Sequence, residues 1–172
     1  TIVWALVAVA SLIGCTQKEM SDLAKAQECL DAVPERDPQQ ANACMQYTVA
    51  YDSIRANILK CSIMLTAGGI TTTRLVSALK IAEDATKVNK QADYIALLSL
   101  TLPDAATGYA NSQIAQTYCT RSGQGGLQFI SNMAVLGSTI NSVSGDFPLI
   151  DPVTGEVNEA NVQTAITALV TD

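Results

Sequence analysis

Apolar residues recur at helical spacing along most of the chain. Between residues 44 and 65 they are separated alternately by three and four positions, which is typical of one face of a long helix. Similar spacing predicts helices over residues 21–32, 39–67, about 71–85, 94–98, 104–119 and 127–140, with a last helix after 158. No alternating pattern predicts a pair of strands. We therefore expect an all-α fold, with six or seven helices packed as antiparallel hairpins in a single bundle-like domain.

Turn and capping residues punctuate this pattern. The turn 34–38, with a proline at each end, separates the first two predicted helices. Gly68 and Gly69 are expected to end the long helix, and Thr71 to Thr73 offer N-caps for the next. Asn158 is expected to cap the last helix. The segment 24–54 resembles a tetratricopeptide helical pair, but the chain has no clear 34-residue repeat, so a generic bundle is favoured.

Residues 2–14 form an apolar stretch interrupted only by Ser11. This length is typical of the apolar region of a signal peptide and falls short of the ~20 residues that a membrane-spanning helix needs. We predict that residues 1–14 are a signal peptide. Because no basic residue precedes the stretch, we expect a few further residues upstream of Thr1.

The end of this stretch, Leu12-Ile13-Gly14-Cys15, resembles the lipobox of bacterial lipoproteins. The resemblance implies cleavage before Cys15, a diacylglyceryl thioether on its sulfur and acylation of its amino group, with palmitate as an expected chain. Thr16, in place of Asp, implies the outer membrane, with the protein facing the periplasm. Residues 15–20 would then be a lipidated tether, and residues 21–172 the helical domain. Several acyl chains together anchor stably, since each buried CH₂ adds ~0.8 kcal/mol.

The chain has five cysteines, and lipidation of Cys15 leaves four for disulfides in the oxidising periplasm. A continuous helix over 39–67 excludes a bond between Cys44 and Cys61, because their Cα atoms would lie roughly 25 Å apart. We prefer Cys29–Cys44 with Cys61–Cys119, since Cys29 and Cys44 are equidistant from the turn 34–38. The alternatives are 29–61 with 44–119, or four reduced and buried thiols.

Charge and composition exclude several functions. From Ser122 onward the chain has no Lys or Arg, so most of its net charge of −6 lies in the last third. Nucleic-acid binding is therefore not expected, because it needs clustered bases. The chain also has no histidine, which excludes Ser-His-Asp triads, Cys-His dyads and histidine-ligated zinc sites within it. We expect no metal and no cofactor.

Three segments have some catalytic or ligand-binding character, but a structural role explains each better. Glu83 and Asp84 point about 100° apart on a helix, so we expect a solvated surface. The strip 68–73 lacks the lysine and spacing of a phosphate loop, and the segment 151–156 lacks the alternation of a calcium loop.

We expect the five tyrosines to pack between helices with their hydroxyls at the rim. They are Tyr47, Tyr51, Tyr94, Tyr109 and Tyr118.

These observations favour a membrane-anchored protein that is not an enzyme and acts as a scaffold or accessory subunit of an envelope protein assembly. An alternative is a helical protein that binds a small apolar ligand between its helices. A third class is a hydrolase that uses carboxylates alone, which needs two acids converging in a cleft. An exposed apolar patch would favour a protein partner, whereas an enclosed apolar cavity would favour a ligand.

Overall fold

A computed structural model describes residues 2–86, 90–100, 105–143 and 157–171, with the side chains of the first helix described from Gln17 onward. These residues form seven α-helices and one 3₁₀ helix, and they contain no strand. The α-helices are α1 (Ile2–Asp31), α2 (Ile54–Ala67), α3 (Thr72–Glu83), α4 (Lys90–Leu98), α5 (Ala105–Arg121), α6 (Gly125–Val143) and α7 (Glu159–Thr171). The 3₁₀ helix, Pro38–Tyr47, lies between α1 and α2. The prediction of a single all-α domain is confirmed.

The helices pack around one main core. The 3₁₀ helix lies against α1 and α2, α2 packs on α5, and α5 forms a hairpin with α6. Helix α6 also contacts α4 and α7, and α3 packs on α4. The main core lies between α2, α4, α5 and α6, and two smaller clusters join α1 and the 3₁₀ helix to α2.

Helix α1 begins earlier than the apolar spacing predicted. The expected start was near Ser21, but the helix runs without a break from Ile2 to Asp31. Residues 15–20, expected to form a tether, are therefore helical. The Cys15 side chain lies outside the described side chains, so its lipid attachment stays a prediction. Across the described part of the chain, no helix has both the length and the apolar character that a membrane crossing requires.

The prediction of one continuous helix over 39–67 is wrong. The chain forms the 3₁₀ helix, then a non-helical segment over 48–53, and then α2. Ser53 caps α2, because its hydroxyl accepts a hydrogen bond from the Ala56 backbone N–H at 3.2 Å. The apolar face predicted from the spacing is interrupted at Ile54, whose side chain is 62% exposed.

Polar side chains explain this break. The Asn57 amide donates to the backbone carbonyls of Asp52 and Ser53, both at 3.1 Å, and the Lys60 ammonium donates to the Tyr51 carbonyl. The Tyr51 hydroxyl donates to Asp22 on α1 at 2.7 Å. Such bonds satisfy backbone groups without a helix and therefore compete with helix formation.

Both preferred disulfides are present. Cys29 and Cys44 join α1 to the 3₁₀ helix with Cα atoms 5.6 Å apart, and Cys61 and Cys119 join α2 to α5 with Cα atoms 4.9 Å apart. The sequence argument against a Cys44–Cys61 bond assumed a continuous helix, and that assumption is wrong. The argument from equal distance to the turn 34–38 identified the pair correctly.

The predicted helix ends agree well with the structure. Gly68 is the C-cap of α2, and Gly69 has a φ of 87°, which glycine adopts readily. The Thr71 hydroxyl caps α3 by accepting from the Arg74 N–H, and the Asn158 side chain accepts from the Asn161 N–H at 3.2 Å. The turn-rich segment 144–156 lies outside the described residues.

A close approach of α4 and α6 depends on Gly137. A Cβ placed there would lie 2.7 Å from the Ser99 Cβ and 2.8 Å from the Ile95 carbonyl oxygen. Gly137→Ala is expected to lower the unfolding free energy by about 1.5 kcal/mol, because an overpacking cost of about 2.5 kcal/mol exceeds the gain of about 1 kcal/mol from replacing a helical glycine.

Urea denaturation of the full chain measures this difference. Gly126→Ala is the matched control, since Gly126 is on the same helix and a Cβ there meets nothing within 4 Å. We expect that control to be neutral or slightly stabilising. Equal stability of the two variants would show that the α4–α6 approach is not tight.

Candidate functional site

An apolar groove of about 460 Å³ lies between α3, α4 and α6. Helices α3 and α6 both pack on α4, but among their described residues no Cα atom of α3 lies within 8 Å of a Cα atom of α6. Helix α4 is therefore the floor of the groove, and α3 and α6 are its walls. The groove is lined by Leu79, Ala82, Lys90, Tyr94, Ile95, Phe129 and Met133.

Both walls expose large apolar side chains to water. Leu79 on α3 is 58% exposed and Phe129 on α6 is 50% exposed. Val76 lies one turn from Leu79 and Leu136 two turns from Phe129, and both are also exposed. Single exposed apolar residues are ordinary, but an apolar groove with further apolar residues along both walls is typical of a binding surface.

Arg74 fixes the floor of the groove to the α3 wall. Its guanidinium donates to the carbonyls of Gly69 at 2.9 Å, Ser99 at 3.1 Å and Ala96 at 3.4 Å. The Ala96 carbonyl lies in the last turn of α4, where it also accepts from Ser99, and the Ser99 carbonyl directly follows the helix. Burial lowers the pKa of Arg74 to about 10, so the side chain remains a cation at neutral pH.

The other wall is fixed at the same end of α4. The Leu100 backbone N–H donates to the Ser138 hydroxyl on α6 at 3.3 Å. Gly137 allows the backbones of α4 and α6 to come close. Together with Arg74 on the opposite side, these contacts attach both walls to the same end of the floor, so the groove is formed by helices that are fixed to one another.

Two polar groups accompany the apolar lining. Among the described residues that line the groove, Lys90 alone carries a charge, and it lies at the N-terminal end of α4. The Tyr94 ring packs against Phe129 with centroids 6.3 Å apart and an angle of 43° between the planes. This tilted arrangement is favourable for aromatic pairs and orients Phe129 at the mouth of the groove.

The predicted disulfide residues lie away from this groove. Cys61 and Cys119 are fully buried in the main core, and Cys44 is buried where the 3₁₀ helix packs against α1 and α2. Their role is to hold helices together. The Cys15 side chain lies outside the described part of the chain.

The segments given a structural role from sequence have that role where they are described. Glu83 ends α3 in an exposed position, and Asp84 accepts hydrogen bonds from the Thr86 N–H and hydroxyl. The strip 68–73 is a C-cap followed by an N-cap, as expected. Residues 151–156 lie outside the described ranges. No group of three or more potential metal-binding side chains occurs among the residues that are described.

Four of the five tyrosines pack against the helix clusters as expected, and Tyr109 does not. Tyr47 and Tyr51 pack against the α1–α2 cluster, and Tyr94 and Tyr118 pack against the main core. Tyr109 is instead on the surface, where its hydroxyl accepts a hydrogen bond from Gln113 at 2.8 Å.

A polar cluster between α1 and the 48–53 segment is a second candidate site. The Tyr51 hydrogen bond lowers the pKa of the Asp22 carboxyl, and Ser53 donates to Glu19. Buried Lys60 lies 5.3 Å from the centre of the Tyr118 ring while it donates to the Tyr51 carbonyl. These groups satisfy one another and anchor α1, so the cluster has a structural role.

The sequence of α6 contains a feature that indicates the groove, although the helical spacing used for prediction did not distinguish it from the core. Helix α6 has a core-facing stripe that includes Leu127, Ile130 and Ala134, and it also has Phe129 and Leu136 off that stripe. Large apolar residues on a second face of an amphipathic helix indicate a surface beyond the core. Arg74 gave no comparable signal, since its carbonyl partners belong to other segments.

Comparison of this chain with protein-family models, with curated proteins and with solved structures finds no match.

Proposed function

We propose that this chain is a membrane-anchored, periplasm-facing accessory protein that is not an enzyme and binds an envelope protein in the α3–α4–α6 groove. The observation that carries the proposal is the preformed groove, whose apolar walls are exposed at Leu79 and Phe129. Exposed apolar surface of this kind marks interaction sites in soluble domains. Its aromatic residue at the mouth is of the type that dominates binding energy at protein interfaces.

Site-specific photocrosslinking tests this function. A photoreactive phenylalanine analogue at position 129 is expected to crosslink one envelope protein in native membranes, and Phe129→Asp is expected to reduce recovery of that same protein at least tenfold. Ile114→Asp is the matched control, because Ile114 is 44% exposed on α5 and does not line the groove. Equal recovery with both variants would refute docking in the groove.

A second candidate is the binding of a small apolar ligand. The groove volume of about 460 Å³ favours it, since ligand sites commonly have 300–1,000 Å³ and an apolar lining. Native mass spectrometry of the purified full chain distinguishes the two functions. A bound small molecule that is lost in Phe129→Asp, without any crosslinked protein, would favour the ligand.

The membrane anchor is tested separately. Mass spectrometry of the mature N-terminus is expected to find Cys15 as the first residue, with a diacylglyceryl group on its sulfur. Cys15→Ser is expected to abolish the modification and release the protein from membranes. An unmodified Cys15 thiol in the mature protein would overturn the anchor while leaving the groove proposal intact.

A further inference from the structure

The groove has the form of an incomplete helical bundle. Its two walls, α3 and α6, pack on the same floor helix and leave a gap between them. A fourth helix laid into this gap would contact both walls and the floor. The groove floor is α4, whose nine residues extend roughly 13 Å, so two to three helical turns of an occupant would fill it.

We infer that the occupant is a short amphipathic helix of the partner protein that carries a carboxylate over Lys90. This inference rests on the proposed function and specifies its partner. A helix satisfies its own backbone hydrogen bonds, whereas an extended peptide would bury N–H and C=O groups against Leu79, Ile95 and Met133, which offer them no side-chain partner. The expected occupant therefore presents apolar residues at positions i, i+3 or i+4, and i+7.

Charge complementarity fixes the orientation of this helix. Lys90 lies at one end of the floor and forms no ion pair within the part of the chain that is described. An acidic residue at the matching end of the occupant would pair with it beside the apolar surface. A neutral helix would leave the ammonium without a partner and partly desolvated, and a basic one would be repelled.

Selection from a displayed library of amphipathic 14-residue helices tests the inference on the full chain. Helices that bind the wild-type protein and fail to bind Phe129→Asp are expected to share an acidic residue at one end of the apolar stripe. Against Lys90→Glu, the selected helices are expected to bind about tenfold more weakly, and a Glu-to-Lys change in the helix is expected to restore binding. Lys80→Glu is the matched control, since Lys80 is exposed on α3 outside the groove lining.

Other outcomes would overturn the inference in distinct ways. If the selected helices show no preference for an acidic residue, the role of Lys90 is refuted. The same follows if Lys80→Glu weakens their binding as much as Lys90→Glu does. In both cases the crosslinking result at position 129 still stands. Selection of proline-rich extended sequences would refute the helical occupant. Binding of a fluorescent fatty acid that is lost in Phe129→Asp, with no helix selected, would identify a lipid as the occupant.

Discussion

Replacement of Cys61 and Cys119 together by alanine is expected to lower the free energy of unfolding by about 4 kcal/mol. The bond closes a loop between residues 58 positions apart, and in the chain-entropy model a loop of this length restricts the unfolded chain by about that amount. Both cysteines are fully buried where α2 packs on α5. Removal of the bond therefore weakens the contact between α2 and α5, the central helix pair of the fold.

The other disulfide provides the matched comparison. Cys29 and Cys44 are only 15 positions apart, so the corresponding double alanine variant is expected to lose about 3 kcal/mol. Urea denaturation of wild type and both variants, without reductant, measures the two losses. A larger loss for the 29–44 variant would show that local packing between α1 and the 3₁₀ helix, rather than loop length, sets the contribution of each bond.

Local chemistry made part of this fold predictable. Thr71 and Asn158 precede apolar stretches and cap the helices that follow, and Gly68 ends α2. Each of these residues acts within about one turn of its own position, so a single sequence contains the information. The pairing of Cys29 with Cys44 was predictable for the same reason, because the turn 34–38 is close to both.

Contacts between distant segments explain what the pattern did not predict. The break at 48–53 depends on Tyr51 reaching Asp22 and on Lys60 reaching the Tyr51 carbonyl, while the apolar spacing through the break still resembles one helix. The groove is a gap between helices that pack on a common neighbour, so it depends on their arrangement. Leu79 belongs to the apolar spacing that predicts a helix over about 71–85, yet its side chain is 58% exposed on the groove wall.

Arg74→Met is expected to lower the free energy of unfolding by about 2 kcal/mol. Methionine keeps much of the apolar stem but loses two good hydrogen bonds, to Gly69 and Ser99, and a longer one to Ala96. If burial of this guanidinium cost no more than usual, the two shorter bonds would contribute about 2 kcal/mol each and the longer one about 1 kcal/mol, which gives a loss of about 5 kcal/mol. Burial opposes this, since a pKa lowered from 12.5 to about 10 corresponds to a cost of about 3 kcal/mol for the charged form.

Whether Arg74→Met destabilises the protein depends on whether the hydrogen bonds outweigh the cost of burying the charge. Two further variants test this prediction. Arg55→Met is the matched control, because Arg55 is exposed on α2, and its loss is expected to stay below about 0.5 kcal/mol. Arg74→Lys keeps the charge but cannot reach three carbonyls with one compact ammonium group, so it is expected to recover only part of the loss. If Arg74→Met is as stable as the wild type, the carbonyls at the end of α4 must form hydrogen bonds with water in its place. The contacts of Gly137 and Ser138 would then fix the floor of the groove.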